Sequence, residues 1–184
     1  MYTDADGNKH YYTDQTDNYL QKNYQLLLNH SFSTAWNLNV ALHYTKGDGY
    51  YEEYKPGSSL VEYGLKPFNP DGTETNESDL VRQKKMDNKF GGGVFSLNYT
   101  GNRLTASLGG GLNQYRGNNF GKVTWVKNYI GNLSPEHEYY RNKSKKTDGN
   151  IYLKANYDLT STLSAYADLQ YRHIDYTIDG VNDK

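Results

Sequence analysis

The stretch YQLLLNHSFSTAWNLNVALHY, residues 24–44, contains no Asp, Glu, Lys or Arg, although 22% of the chain is charged. From Trp36 to Tyr44, apolar side chains alternate with small or polar ones. A period of two residues is typical of a β-strand with one apolar and one polar face. The stretch therefore predicts a strand whose apolar face needs a hydrophobic neighbour, either protein or lipid.

The composition favours strands and turns over helices. The 184 residues include 20 Tyr, 18 Gly, 4 Pro and no Cys, and Tyr is enriched in strands. With a net charge of −1, the chain has no basic stripe to neutralise phosphates, so nucleic acid is not an expected partner. No apolar run approaches the ~18 residues of a membrane helix, but membrane strands need only ~9–11 residues and escape this test.

Three short turns predict three hairpins. The turns lie at residues 33–35, 100–102 and 160–162, and each is followed by alternating apolar and polar residues. Strands with the same alternation precede them, at residues 24–32, 91–99 and 151–159. We therefore expect an all-β fold of about six antiparallel, up-and-down strands, because each turn joins one such pair.

Two long polar connections join the hairpins, at residues 45–86 and 117–148, and we expect them to be loops. Structureless loops longer than ~12–15 residues are uncommon in compact soluble domains. Short turns at one end and long loops at the other are typical of transmembrane β-barrels, with periplasmic turns and extracellular loops. The pattern predicts part of such a barrel, with lipid against the apolar face.

Charged and aromatic side chains fit this interpretation. The charged residues of the last hairpin fall on the polar parity, where they avoid the roughly 2–4 kcal/mol cost of facing lipid at the membrane centre. They are Lys154, Asp158 and Asp168. Aromatic residues predict two interfacial girdles, one at Phe32, Trp36 and Tyr99 and one at Tyr24, Tyr44 and Tyr171. Leu27 and His30 depart from the parity of the first strand.

A β-sandwich is the alternative architecture, because its inner faces alternate in the same way. The chain would then be a soluble extracellular carbohydrate-binding or adhesive domain, with its Tyr-rich loops as the binding surface. A sandwich does not explain the difference between the two ends of the strands or the aromatic girdles. Folding without detergent would favour the sandwich.

The segment YTKGDGYYEEYK, residues 44–55, directly follows NLNVALHY, and YTDQTDNYLQKNYQLLLNHSF lies upstream at residues 12–32. These segments resemble the β-barrel of TonB-dependent outer-membrane receptors of the Bacteroidetes type, and the resemblance extends over essentially the whole chain. Such receptors have a barrel of 22 strands, an N-terminal plug and a motif that engages the inner-membrane energy-coupling protein.

The resemblance implies that residues 1–184 are an internal fragment of a barrel domain, without a plug or a signal peptide. Six strands cannot close a transmembrane barrel, for which eight is the smallest usual number. The implied location is the outer membrane of a Gram-negative cell. The implied partners are outer-membrane lipid, the protein's own plug, the TonB system and a small-molecule or oligosaccharide ligand: a siderophore, cobalamin or a glycan.

The sequence contains no recognisable catalytic or metal-binding motif. Its five His residues lack metal-ligand spacing, and no nucleophile motif or cysteine is present. We therefore expect no enzyme activity, no metal and no cofactor. The glycine runs at 91–93 and 109–111 open no helix. We interpret them as bends or as places where bulky neighbours pack on bare backbone, not as phosphate loops.

Two sets of residues are candidates for binding. The first is a predicted ligand-binding set at the root of the first long loop, consisting of Tyr50, Tyr51, Glu52, Glu53 and Tyr54. Its rings suit stacking on sugars, and its carboxylates accept hydroxyl donors. In the alternative interpretation, this segment only continues the strands, and its tyrosines pack on neighbours. The second set is predicted to face the barrel lumen and the plug: Asn37, Asn39, His43, Thr105, Ser107, Asn113 and Asp168.

Overall fold

The chain folds into one six-stranded antiparallel sheet in a computed structural model that describes residues 2–3, 6–10, 12, 15–66, 71, 73–127, 129, 133 and 137–181. A separate two-stranded sheet is formed by β1 (Tyr2–Thr3) and β2 (Lys9–His10). The large sheet comprises β3 (Thr16–Ser31), β4 (Trp36–Ser59), β5 (Glu77–Thr100), β6 (Leu104–Val126), β7 (Glu138–Asp158) and β8 (Ser164–Gly180). Neighbours in the sheet are neighbours in sequence, which confirms the all-β, up-and-down prediction.

The two connections predicted as long loops are mostly strand, so that prediction is wrong. β4 and β5 stay paired as far as Ser59 and Glu77, and β6 and β7 as far as Lys122 and Glu138. These outer parts of the strands are polar on both faces and are held by cross-strand pairs of side chains. They therefore show no two-residue hydrophobic period. The real connections are residues 60–76 and 127–137.

The three short turns lie within one residue of their predicted positions. In the first, the Ser33 hydroxyl accepts hydrogen bonds from the backbone N–H groups of Ala35 and Trp36, both at 3.2 Å. The second follows Thr100, which belongs to β5. Beside it, the Arg103 guanidinium donates to the carbonyl oxygen of Asp158 at 3.0 Å, and this bond ties the second turn to the third hairpin.

The register arranges side chains in rows across the sheet, because residues paired on neighbouring strands point to the same face. Three such rows on one side, the apolar face, are mostly aliphatic or aromatic. The Leu38 row contains His30, Leu38, Leu97, Leu108, Leu153 and Leu169. The Val40 row contains Leu28, Val40, Phe95, Gly110, Ile151 and Tyr171. The Leu42 row contains Leu26, Leu42, Gly93, Leu112, Gly149 and His173.

Aromatic rings border these three rows on both sides. Toward the short turns, the Trp36 row contains Trp36, Tyr99, Ala106, Ala155 and Ala167. Toward the opposite end, the Tyr44 row contains Tyr24, Tyr44, Gly91, Gln114, Thr147 and Asp175. The rings of Trp36 and Tyr99 are 4.9 Å apart, and those of Tyr24 and Tyr44 are 6.3 Å apart. Such aromatic pairs contribute beyond their buried area.

The opposite side of the sheet is the polar face. Leu27 lies on this face opposite Ala41, and His30 lies on the apolar face opposite Leu38, so both departures from parity are confirmed. Tyr171 is paired with Ile151, which places it two rows away from Tyr44.

The apolar face has no second layer over its rows in the described part of the chain. Leu26, Leu112 and Leu169 remain 66%, 63% and 71% exposed. The small buried core lies at the other end of the molecule and consists of Leu60, Tyr63, Leu65, Leu80 and Val123. The main apolar surface of this sheet is therefore left bare.

A short 3₁₀ helix, Leu60–Tyr63, folds back over the far end of the polar face. Gly64 ends it at φ 67°, a left-handed conformation that glycine adopts without steric cost. The N–H of Leu65 then donates to the carbonyl oxygen of Leu60 at 2.9 Å. We call residues 60–65 the cap. In the portion of the chain that is described, no helix is sufficiently long and apolar to traverse a membrane.

Candidate functional site

All seven residues predicted to face a lumen lie together on the polar face of the sheet. Their positions follow from the register, which aligns residues 37, 98, 107, 154 and 168 in one row and residues 43, 92 and 113 in another. The seven are Asn37, Asn39, His43, Thr105, Ser107, Asn113 and Asp168. They form a polar wall near the short-turn end of the sheet.

Side-chain amides link the first three strands of this wall. The Asn39 amide nitrogen donates to the Asn37 side-chain oxygen at 2.9 Å and to the Ser96 hydroxyl at 3.2 Å. Asn29 completes the network through its own amide contact with Asn39. Because these groups satisfy one another, this part of the wall is a fixed polar surface.

His43 reaches across a whole strand to Asn113. Its Nε2 lies 2.8 Å from the Asn113 side-chain oxygen, although β5 runs between the two residues. The intervening residue in the row is Gly92, and a methyl group there would lie 2.4 Å from that same oxygen. The bare backbone of Gly92 therefore provides the space for the contact, as predicted for its glycine run.

The last hairpin adds one charged pair to the polar wall. The Lys154 ammonium lies 3.8 Å from the Asp168 carboxylate and 5.2 Å from the centre of the Tyr152 ring. Both charged side chains remain substantially exposed, at 49% and 38%, so water screens the pair and its contribution to stability is small. The pair leaves this part of the wall open to polar solutes or to another polar surface.

The structure does not bring the five residues of the predicted ligand-binding set together. They lie within β4, and strand alternation sends successive side chains to opposite faces. Tyr51 and Glu53 share the polar face with His43, whereas Tyr50, Glu52 and Tyr54 lie on the continuation of the apolar face. Their role in ligand capture stays a prediction.

Each ring of the pair Tyr50 and Tyr51 packs under a cation from β5. The Lys85 ammonium lies 5.2 Å from the centre of the Tyr50 ring, and the Lys84 ammonium lies 5.8 Å from that of Tyr51. Such contacts contribute about 0.5–1 kcal/mol each where they are solvent-exposed. This geometry agrees with the alternative in which the segment continues the strands and its tyrosines pack on neighbours.

Glu53 is held by a buried arginine beneath the cap. Arg82 is 9% exposed, and its Nε lies 2.6 Å from Glu53 Oε1. Its Nη1 donates to the Tyr63 hydroxyl at 3.0 Å. Since a buried charge is costly unless it is paired and hydrogen-bonded, this arrangement fixes the cap to the sheet. This pair could not be predicted from the sequence, because Glu53 and Arg82 are 29 residues apart along the chain.

Tyr54 takes part in a separate cluster near the outer ends of β4 and β5. Its hydroxyl donates to Asp79 at 2.6 Å, and Asp79 also accepts from the Gly57 N–H at 3.0 Å and from Lys127 at 3.2 Å. These donors, the Tyr54 hydroxyl foremost, hold the pKa of Asp79 below its usual range. Burial, aided by the bond to Asp79, raises the pKa of Tyr54. Tyr12 stacks on its ring at 3.7 Å.

The described residues show no arrangement of three or more His, Asp or Glu side chains suited to a metal ion. No protein-family model matches the chain, and no curated protein matches it significantly. On the polar face, the described residues form hydrogen bonds between amides and hydroxyls, with paired charges and cation–ring contacts toward the cap.

Proposed function

We propose that this chain is part of the barrel wall of a TonB-dependent outer-membrane receptor, which imports a scarce nutrient such as a siderophore, cobalamin or an oligosaccharide. The apolar face would contact lipid, and the polar face would line the lumen. The short turns would lie in the periplasm, and the cap would lie outside the cell. The observation that carries the proposal is the order of the rows on the uncovered apolar face.

That order follows the profile of a membrane from one end of the strands to the other. Three mostly apolar rows are bordered by two rows that each contain an aromatic pair, Trp36 with Tyr99 and Tyr24 with Tyr44. The next row outward contains five cationic residues. The eight residue steps from Trp36 to Tyr44 span about 20–25 Å with strands tilted by ~40°, which matches the apolar band of a transmembrane barrel.

A soluble sandwich accounts less well for these rows. In a sandwich, a second sheet packs ~10 Å away over the apolar face, and here the described chain leaves that face bare. A sandwich core also needs no sequence of apolar, aromatic and charged rows at successive distances along the strands. Lipid requires such a sequence, because its polarity changes with depth.

The stagger of the hairpins supports a barrel independently. The centre of each turn lies beyond the Trp36 row by about two residues in the first hairpin, about three and a half in the second and about six in the third. This is a shift of about one residue per strand. With ~3.3 Å per residue and ~4.8 Å between strands, turns at one height imply a tilt of about 35°. Membrane barrels tilt by ~35–45°.

The same stagger accounts for the position of Tyr171. It lies two rows nearer the short turns than Tyr44, and four strand-to-strand steps separate the two residues. Two rows correspond to about four residues along a strand, and a shift of about one residue per strand over four strands is equally large. The two shifts cancel, so Tyr171 lies at the height of Tyr44. The second predicted girdle is then level with respect to the membrane.

In this proposal, transport needs no covalent chemistry. The polar wall around Asn39 and His43 would face the plug for most of its height, and its satisfied amides would offer a surface that a plug can leave without large cost. The cap, which Tyr63 links to Arg82 on the polar face, would narrow the mouth. Ligand would bind at the mouth, and energy from the inner membrane would move the plug.

The first test uses single cysteines, since the chain has none of its own. In cells that express the intact protein, we expect a membrane-impermeant maleimide to label Lys66→Cys on intact cells. Ser161→Cys, in the third short turn, should react only after the outer membrane is permeabilised. Equal labelling of both positions on intact cells would contradict the proposed topology.

The second test measures import by the same cells of three radiolabelled probes: a ferric siderophore, cyanocobalamin and a maltooligosaccharide. We expect one of them to be imported only while the inner membrane is energised, so that a protonophore stops it. Tyr51→Ala should lower this import, whereas Tyr50→Ala, on the other face, should not. Import that is indifferent to the protonophore would indicate a passive pore instead.

A further inference from the structure

Five cationic side chains form a continuous row across the apolar side of the sheet, directly beyond the Tyr44 row. The Lys46 row consists of Lys22, Lys46, Lys89, Arg116, Lys145 and Thr177. All five cationic residues are exposed. We propose that the Lys46 row is a binding surface for the phosphate groups of lipid headgroups in the outer leaflet. This inference rests on the proposed membrane orientation.

The row is unfavourable for the isolated sheet. Like charges directly opposite each other on neighbouring strands are destabilising, and Lys46 is directly opposite both Lys22 and Lys89. Arg116 continues the series opposite both Lys89 and Lys145. Four successive pairs of like charges, ~4.8 Å apart between strands, form a surface that needs anions.

The protein itself supplies few of those anions. Among the residues that the structure describes, none of the four lysines forms a salt bridge, and Arg116 Nε donates to the neutral side chain of Gln114 at 2.8 Å. The nearest carboxylates on the same face lie one row away: Asp48, Asp87 and Asp179 in the next row outward, and Asp175 in the Tyr44 row on the inner side. The cationic groups are therefore free to bind an external anion.

The height of the row selects lipid as the source of that anion. Lys22 and Lys46 lie about 12 residues from the centre of their hairpin, which is roughly 30 Å at the tilt of a barrel. Lys89 and Arg116 lie only slightly further from theirs. The apolar band of a barrel is ~25 Å tall, so these four reach just past it. Lys145 lies about 10 Å higher, among the outer parts of the headgroups.

Phosphate fits this spacing and chemistry. Its oxygens accept charge-assisted hydrogen bonds, and lysine binds it as a compact, mobile charge. Two ammonium groups on neighbouring strands can share one phosphate, so a row of five offers a strip of adjoining sites. Tyr24 and Tyr44, in the row below, present hydroxyl-bearing rings at the same interface.

The test compares two double variants with the same change in charge, in the intact protein reconstituted in phosphatidylcholine bilayers. K46Q/K89Q neutralises two directly paired members of the row. K66Q/K146Q changes two exposed lysines outside it, one in the connection after the cap and one on the polar face. Electron paramagnetic resonance then measures the immobilised fraction of trace spin-labelled phosphatidic acid and of spin-labelled phosphatidylcholine.

We expect the native protein and K66Q/K146Q to prefer phosphatidic acid. The preference should fall by about fivefold or more in K46Q/K89Q, because one basic side chain near anionic headgroups contributes about that factor. K46Q/K89Q should also be at least as resistant to urea as the native protein, since it removes an opposed pair of like charges. This second readout excludes misfolding as the cause of the loss.

Three outcomes would overturn the inference. The first is equal immobilisation of both lipids by the native protein, and the second is an unchanged preference in K46Q/K89Q. The third is loss of the preference in inorganic phosphate but not in chloride of the same ionic strength, which would make the row a site for soluble anions. Failure of the membrane proposal itself would look different, because neither lipid would then be immobilised.

Discussion

At the scale of single residues, the glycines of β5 and β6 decide how closely the strands pack. A methyl group on Gly92 would lie 2.3 Å from the carbonyl oxygen of Leu112, and one on Gly110 would lie 2.5 Å from that of Asn150. Backbone atoms cannot move aside as a flexible side chain can. Gly149 differs, because its first contact would be the end of the Leu112 side chain at 3.5 Å.

We therefore expect Gly92→Ala to destabilise the intact protein by about 1–3 kcal/mol, the usual cost of overpacking. It should also break the contact between His43 and Asn113, which passes over the bare backbone at this position. Gly149→Ala is the matched control and should have little effect. The measurement is urea titration in detergent micelles, and equal midpoints for the two variants would contradict this account of Gly92.

The sequence was sufficient to place the seven wall residues on one face, because alternation alone assigns them. It could not show that His43 would contact Asn113, which lies two strands away and 70 residues along the chain. The set from Tyr50 to Tyr54 illustrates the opposite problem. If these five residues formed a loop, they could converge on one site. They lie in a strand instead, so their side chains are divided between its two faces.

At the scale of elements, the outer halves of the strands were hidden from sequence analysis. Between Lys46 and Ser59 the chain is polar on both faces, so pairing leaves no hydrophobic period to detect. The outer halves are stabilised by cross-strand side-chain pairs that depend on the register. Arg82 pairs with Glu53 on one face, and Tyr54 bonds to Asp79 on the other. The short turns were easier to predict, because their residues are local to the chain.

The cap depends on a few buried side chains, which gives an element-scale prediction. Leu60 is fully buried against the core that contains Leu80 and Val123, whereas its neighbour Val61 is 61% exposed. Leu60→Ala should cost about 2–5 kcal/mol of local stability, and Val61→Ala should cost little. Opening of the cap should then be more frequent.

Chymotrypsin cleavage after Tyr63, which is buried in the cap, measures this opening on intact cells. We expect Leu60→Ala to be cleaved at least about tenfold faster than the native protein, because a protease needs a locally unfolded segment. Val61→Ala should be cleaved at the native rate. If both variants were cleaved equally fast, the buried contacts of Leu60 would not be what holds the cap in place.

At the scale of the whole molecule, the central feature is a sheet whose largest apolar surface is uncovered. Its small buried core lies under the cap. Along β4 the apolar side runs from Trp36 through Leu38, Val40 and Leu42 to Tyr44 and then to the cationic Lys46 row. The order of the strands and the face on which each side chain lies could be predicted from the alternation and from the short turns. The stagger of the hairpins did not, because it depends on the register between strands, which one sequence does not specify.

The most direct test of the membrane proposal is a scan of single spin labels along residues 37–44 in the intact protein reconstituted in lipid. Each label reports its collisions with oxygen, which dissolves in the bilayer, and with a water-soluble nickel complex. We expect oxygen contact to peak at positions 38, 40 and 42 and to fall at 37, 39 and 41. Oxygen contact without this two-residue period, or equal nickel contact on both faces, would contradict a lipid-facing wall.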